Sequence, residues 1–300
     1  THTSTHNSTY KLLSMKKALQ KLLSDPDIES ESRDLANLDL SRDSIPQTSS
    51  TNQSQLNPEP YRYIPLQIQG NSFRGNKHTA ELLREIGGGD EIRKMTDVFY
   101  KKAFADPHLD QFIMNHNDPH FERLGNWIVE KMGGEGNVWT AERAVRNSNP
   151  TPITLATGHN HIVHDRTSAH VAAWHSTKRP KEQVGQHFNL ADARVWMRLM
   201  FWSAREVGLF TRSPTFEDWY IRFIAHFVRV YEREAPLFAR ESARWSLEPN
   251  NIREYLEAGC RMDESVLGGD GIGVPSRVAR AQLPRAELAD TEWPYSTKRL

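Results

Sequence analysis

Three hundred residues allow one large domain or two small ones. Lys plus Arg and Asp plus Glu both count 38, so the charge balance points to neither nucleic acid nor a charged membrane surface. Cys260 is the only cysteine, which excludes an intrachain disulfide and a cysteine-rich zinc site, and no apolar run is long enough to span a membrane.

Residues 1–60 form a Ser/Thr-rich arm that is expected to stay disordered, because it cannot bury enough apolar area to offset its ordering entropy. Within it, Lys11 to Leu23 is amphipathic, with Leu12, Met15, Leu19, Leu22 and Leu23 opposed to Lys16, Lys17 and Lys21. A cytoplasmic location is expected. The basic stretch offers a mitochondrial alternative, although transit peptides are Arg-rich and this stretch has no Arg. The first residue is Thr, not Met, which suits a start that is processed or missing.

Residues 61–77 read as a connector anchored by Tyr61, Tyr63 and Phe73. His78 to Ile86 reads as a short helix stopped by Gly87-Gly88-Gly89. Asp90 is expected to cap the next helix, whose stripe is Ile92, Met95, Phe99 and Ala103, ending at Asp106-Pro107. Asp118-Pro119 opens a further helix with Phe121, Leu124, Ile128 and Met132 on one side, Trp127 beside them, and Gly133-Gly134 at its end. From 135 to 180 the periodicity fails, and this long loop carries His159, His161, His164, His170 and His175. Asp192 is expected to cap a helix through Val207 with Trp196, Met200, Ser203 and Val207 on one face. Pro214 opens the clearest helix, with Phe216, Tyr220, Phe223, Phe227 and Tyr231 at spacings of three and four. Pro236 ends or kinks it, and Trp245 closes the core. Residues 246–300 read as mostly irregular, with one short helix from Asn250 to Ala258 and Trp293 as an anchor. No stretch alternates as a strand would, and there is no internal repeat.

Taken by the residues alone, His187 beside Phe188 suits a partly buried histidine as well as an axial ligand. Phe99-Tyr100 and Trp196 read as core packing, and His120 as a first-turn surface residue. His159, His161 and His164 read as a solvated loop, because no carboxylate or cysteine accompanies them at metal-site spacing.

The order of these pieces changes the weighing. Gly88-Gly89 leads into Ile92, Thr96, Phe99-Tyr100, Asp106-Pro107, Leu109 and Phe112. Leu124, Gly133-Gly134, His187-Phe188, Trp196-Met197-Arg198 and Met200 follow. From about residue 80 to 235 the chain resembles the truncated haemoglobins, most closely their second group. The resemblance implies an all-α fold, a globin-like two-over-two helical sandwich over residues 78–245, with long N- and C-terminal extensions and a long insertion at 135–180 before the proximal helix. It implies haem b as cofactor, with His187 as the axial metal ligand. Tyr100 takes the distal place that donates to bound oxygen, Leu124 the apolar place above the iron, His120 the gate, and Trp196 the place of a second donor. Phe112 or Ile113 falls against the haem edge, Ile113 by strict spacing and Phe112 after a one-residue slip. Phe188 and Met200 complete the expected cofactor-binding set.

The segment between Gly134 and His187 is longer than the family carries, which leaves His175, and after it His170, as rival ligands. Two donors on a partly charged dioxygen, each worth roughly 1.5–3 kcal/mol, imply slow release. That suits nitric oxide dioxygenation, sensing or peroxidase-like chemistry better than bulk transport. The expected partners are dioxygen, nitric oxide and an unidentified reductase, with a homodimer as the expected assembly. A haem-free globin-like interaction or regulatory module is the alternative.

Overall fold

The computed structural model describes residues 60–69 and 72–285. The amphipathic stretch at 11–23 and Trp293 lie outside the described residues. Residues 67–74 make an antiparallel ribbon by themselves, β1 (Ile68–Gln69) pairing with β2 (Ser72–Phe73). The rest is a helical body.

α1 (Lys77–Glu85) opens on Asn76, whose side chain accepts from the N–H groups of His78 and Thr79 while Thr79 Oγ1 accepts from Asn76 N–H. The glycine run then reverses the chain: Gly87 and Gly88 take φ of 103° and 85°, a region that side chains avoid. Gly88, not Asp90, occupies the cap position of α2 (Gly89–Ala105). Asp90 lies inside the first turn, where a carboxylate complements the helix dipole and pairs with Arg93 at 2.7 Å. The expected stripe of Ile92, Met95, Phe99 and Ala103 is buried. Asp106 ends α2 and caps α3 (Pro107–Asp110), accepting from the His108 and Leu109 N–H groups at 2.8 and 3.0 Å.

α4 (His120–Lys131) packs along α2. The crossing is close because Gly125 has no side chain: a Cβ there would lie 2.9 Å from Thr96 Oγ1 and 3.2 Å from Arg93 Cα. The Thr96 hydroxyl donates to the Phe121 carbonyl at 2.8 Å across the same crossing. The segment 135–180, expected to be a loop, is ordered. It contains α5 (Val138–Ser148), a hairpin of β3 (Pro152–Thr154) with β4 (Asn160–Ile162), and α6 (Arg166–Trp174). Strands of three residues are too short for alternation to register.

α7 (Leu190–Glu206) is capped by Asn189; Asp192, expected in that place, is its reciprocal partner in a capping box. α8 (Leu209–Arg212) leads to α9 (Pro214–Val228), which Ser213 caps. Phe216, Tyr220, Phe223 and Phe227 are buried as expected, and Tyr231 falls just past the helix end. A 3-10 turn at Ala235–Phe238, with Pro236 in its first turn, leads into α10 (Ala239–Trp245). The C-terminal segment holds three helices where one was expected: α11 (Pro249–Glu257), α12 (Glu264–Leu267) and α13 (Ser276–Gln282). The fold is all-α, with the strands among the described residues confined to two small ribbons. No described helix is long and apolar enough to cross a membrane.

Four long helices carry the core. α2 packs on α4 and on α7, and α9 packs on α7. Trp127 of α4 reaches α9, its ring 5.6 Å from Phe223 and 4.7 Å from Phe227. α7 is nearly enclosed, so its two buried arginines need partners inside the protein. Arg194 and Arg198, both with side chains 4% exposed, reach Glu241 of α10 at 3.2 and 2.5 Å. Arg198 also meets Asp263 at 3.2 Å, and Arg194 donates to the Ser265 carbonyl at 3.0 Å. The C-terminal segment is thereby fastened to the central helix.

Removing the Glu241 charge would leave the buried Arg194 with no ion pair among the described residues and Arg198 with Asp263 alone. Glu241→Gln is expected to lower stability by about 3 kcal/mol, read from urea unfolding. A loss below about 0.5 kcal/mol, the size of an ordinary surface substitution, would contradict this role.

Candidate functional site

Two aromatic clusters lie beside the first half of α7, reached from Trp196 and Asp192. The first surrounds Tyr100, which α2 presents one residue past its core stripe. Its ring meets Phe99 edge-on at 5.1 Å, lies 5.7 Å from Phe104 and stacks on His120 at 5.4 Å. The phenol is half-buried and makes no hydrogen bond among the described residues. Burial pushes its pKa up to about 12, with only Arg123 opposing, so the hydroxyl keeps its proton. His120 Nε2–H donates to the Asn115 carbonyl at 2.8 Å. Burial holds that imidazole below its ordinary range, against the Asn115 bond and Asp118. Leu124, one turn after His120, is half-buried, as is Trp196, which meets Phe99 edge-on at 5.4 Å. Met200 is fully buried core.

The second cluster centres on Phe188. Its ring contacts Phe112 at 5.1 Å, His170 at 5.5 Å, Trp174 at 5.7 Å and Tyr231 at 5.9 Å. Of the two residues expected against a ligand edge, Phe112 belongs to this cluster. His170, on α6, meets Tyr231 edge-on at 4.5 Å, and its Nδ1 is buried without a hydrogen-bond partner. Burial first, then the Arg166 charge, pushes this imidazole down to about 3, against Asp165. It is neutral at physiological pH.

α7 joins the clusters. Trp196 touches the first. One turn earlier, Asp192 bonds His108 Nε2 at 2.7 Å, and the His108 ring lies edge-on to Phe112 at 6.4 Å.

The three histidines of the proximal segment differ sharply. His187 is exposed, its ring lying flat on Trp174 at 4.0 Å and 14°. Partial burial, then the His175 charge, holds it below the ordinary imidazole range. His175 follows α6 and is 7% exposed. Its Nδ1 lies 2.9 Å from the Val171 carbonyl one turn back, which fixes the proton on Nδ1 and leaves the lone pair on Nε2. Gly185, with φ +82°, closes over that ring; a Cβ there would stand 3.1 Å from Nε2. Among the described residues, no group of three or more His, Cys, Asp or Glu side chains could hold a metal ion. His161 instead bonds the Ser168 carbonyl at 2.8 Å.

The place of His175 and the neutral burial of His170 were not legible in sequence, because α6 was read as loop. Asp165 and Ser168 form a reciprocal cap there, and D-x-x-S ahead of an Ala-rich run was the available signal. No family model, curated protein or solved structure matches the chain.

A buried neutral histidine makes stability depend on pH. Its folded pKa lies below the unfolded value of 6.5, so the unfolded chain binds more protons as acid is added. The contribution is present above pH 6.5 and is lost progressively as pH falls towards 3. Between pH 7 and 5 the wild type should lose about 2 kcal/mol more than His170→Leu, by urea unfolding at both values. Parallel losses would contradict the burial of a neutral His170.

Proposed function

We propose that this chain is a haem protein with the four long helices in a globin-like two-over-two arrangement, and that it oxidises nitric oxide with dioxygen. The observation that carries the reading is Tyr100: a phenol among Phe99, Phe104 and His120 whose hydroxyl has no internal partner among the described residues. That hydroxyl is left to donate a hydrogen bond to a ligand.

The residues fit haem b. Phe104, Leu124, Phe112, Phe188 and Trp196 are half-buried apolar side chains of the kind a flat macrocycle covers. The nitrogen that would hold the iron stays at His187, because Gly185 closes over the rival His175 and stands against its Nε2, the one ring nitrogen the Val171 bond leaves for a metal. The His187 ring lies flat on Trp174, a contact that leaves its nitrogens without a hydrogen bond among the described residues. When bound, haem would supply an iron that takes dioxygen, nitric oxide or carbon monoxide.

The chain would supply hydrogen-bond donors to that diatomic ligand. Tyr100 O–H would donate to the diatomic ligand, with Trp196 N–H as second donor. His120, stacked on Tyr100 and tied to the Asn115 carbonyl, stands on the approach. In the proposed reaction one nitric oxide, one dioxygen and one electron give one nitrate, and a separate reductase supplies the electron.

His187→Ala is expected to abolish the Soret band of the reconstituted protein, while His175→Ala retains it. The reverse pattern would move the ligand to His175. Tyr100→Phe should speed dioxygen release roughly 10- to 100-fold. In stopped-flow mixing of the oxygenated protein with nitric oxide, loss of the oxygenated spectrum no faster than with free haem would overturn the reaction proposed.

A further inference from the structure

Arg179 stands out among the buried charges. It is 7% exposed, yet no ion pair joins it to a carboxylate among the described residues. Its Nη1 donates to the Trp174 carbonyl at 3.0 Å and to the Gln186 carbonyl at 2.7 Å. Its Nε is sealed from solvent without a partner. The acid it feels is Asp192, and both Asp192 oxygens are taken: Oδ1 by His108 Nε2 and Oδ2 by the Asn189 N–H, each at 2.7 Å.

A buried guanidinium without a paired anion is expensive to keep. The cost falls beside the second aromatic cluster, since the guanidinium carbon lies 4.7 Å from the centre of the Phe112 ring, which in turn meets Phe188 at 5.1 Å. The guanidinium covers one face of Phe112 in a cation–π contact, and beyond it the cluster turns to Phe188; a cation with no carboxylate partner beside aromatic rings suits a flat ligand that bears a carboxylate. Nη2 is the donor left for such a group, since Nη1 is committed to the two carbonyls and Nε is sealed. The neighbouring cation, Lys178, is spent differently, its Nζ 2.8 Å from Asp110 and 3.1 Å from His116 Nε2.

We propose that Arg179 is the anchor for the carboxylate of a flat aromatic ligand packed against Phe112 and Phe188, namely a propionate of the haem assigned above. The inference rests on that assignment. It also explains why an arginine is placed in the segment between α6 and α7, where its two carbonyl bonds hold the chain on either side of His175 while the charge turns towards the ring cluster. Those carbonyl bonds give Arg179 a clamping role as well, so the test must separate the two.

The full chain, freed of haem, is titrated with haemin and with haemin dimethyl ester, followed by quenching of tryptophan fluorescence. The ester keeps the ring and the iron and lacks only the charges. The wild type should bind the acid roughly 10- to 100-fold tighter than the ester. Arg179→Met should weaken the acid to the level of the ester and leave the ester unchanged. Arg179→Gln, which keeps a donor for the two carbonyls, should do the same if the Met variant does not fold. Equal binding of acid and ester by the wild type overturns the proposal, as does a variant that weakens both by the same factor. Binding of neither compound overturns the haem reading and this inference with it.

Discussion

Asp192 is the joint on which both halves of the site depend. It is 4% exposed, and its two oxygens serve two different elements. One accepts from the Asn189 N–H and so fixes where α7 begins; the other holds His108 of α3. The start of α7 sets the place of Phe188, immediately before Asn189, and of Trp196, one turn after Asp192. The grip on α3 sets Phe112, which follows that helix directly. A single buried carboxylate thus holds residues of both aromatic clusters in register, and a charge buried so deeply is tolerated because it is hydrogen-bonded on both sides.

Around this joint the chain is fastened by polar contacts that sequence periodicity does not report. Asp106 caps α3 and also accepts from Tyr255 Oη at 3.0 Å, tying α11 to the end of α2. Burial raises the Asp106 carboxyl, against its two N–H bonds and the tyrosine. Arg194 and Arg198 bring α10 and the segment around Asp263 onto the opposite side of α7. Cation–π contacts reinforce them, with Arg194 4.6 Å from the Phe238 ring and Arg198 5.4 Å from Trp245. Residues 246–285 are therefore part of the helical body, although their hydropathy reads as a loose tail.

What the sequence disclosed follows from this division. The apolar stripes of α2 and α9 repeat at three and four, and both helices are buried as expected, because periodic burial is a local signal. The caps were misplaced by a few residues at α2 and α7: Asp90 and Asp192 are both first-turn acids, and only geometry separates a cap from its third-position partner. α5 and α6 escaped notice because their buried residues are few, Trp139 in one and Ala172 and Trp174 in the other. At the site, Tyr100, Phe112, Phe188 and Trp196 were legible as aromatic positions in a familiar order. The distinction among His170, His175 and His187 was not. It depends on one hydrogen bond to Val171, one stacking contact with Trp174 and one buried ring nitrogen, none of which has a sequence period.

The proposal that everything rests on is one haem held between these clusters, its iron open to a diatomic ligand. The most direct measurement is the absorption spectrum of the purified, haem-reconstituted full chain, reduced without oxygen and then exposed to carbon monoxide. The account predicts one haem per chain and a Soret band that sharpens and shifts when carbon monoxide is added. A spectrum indistinguishable from free haem, before and after the gas, would contradict it.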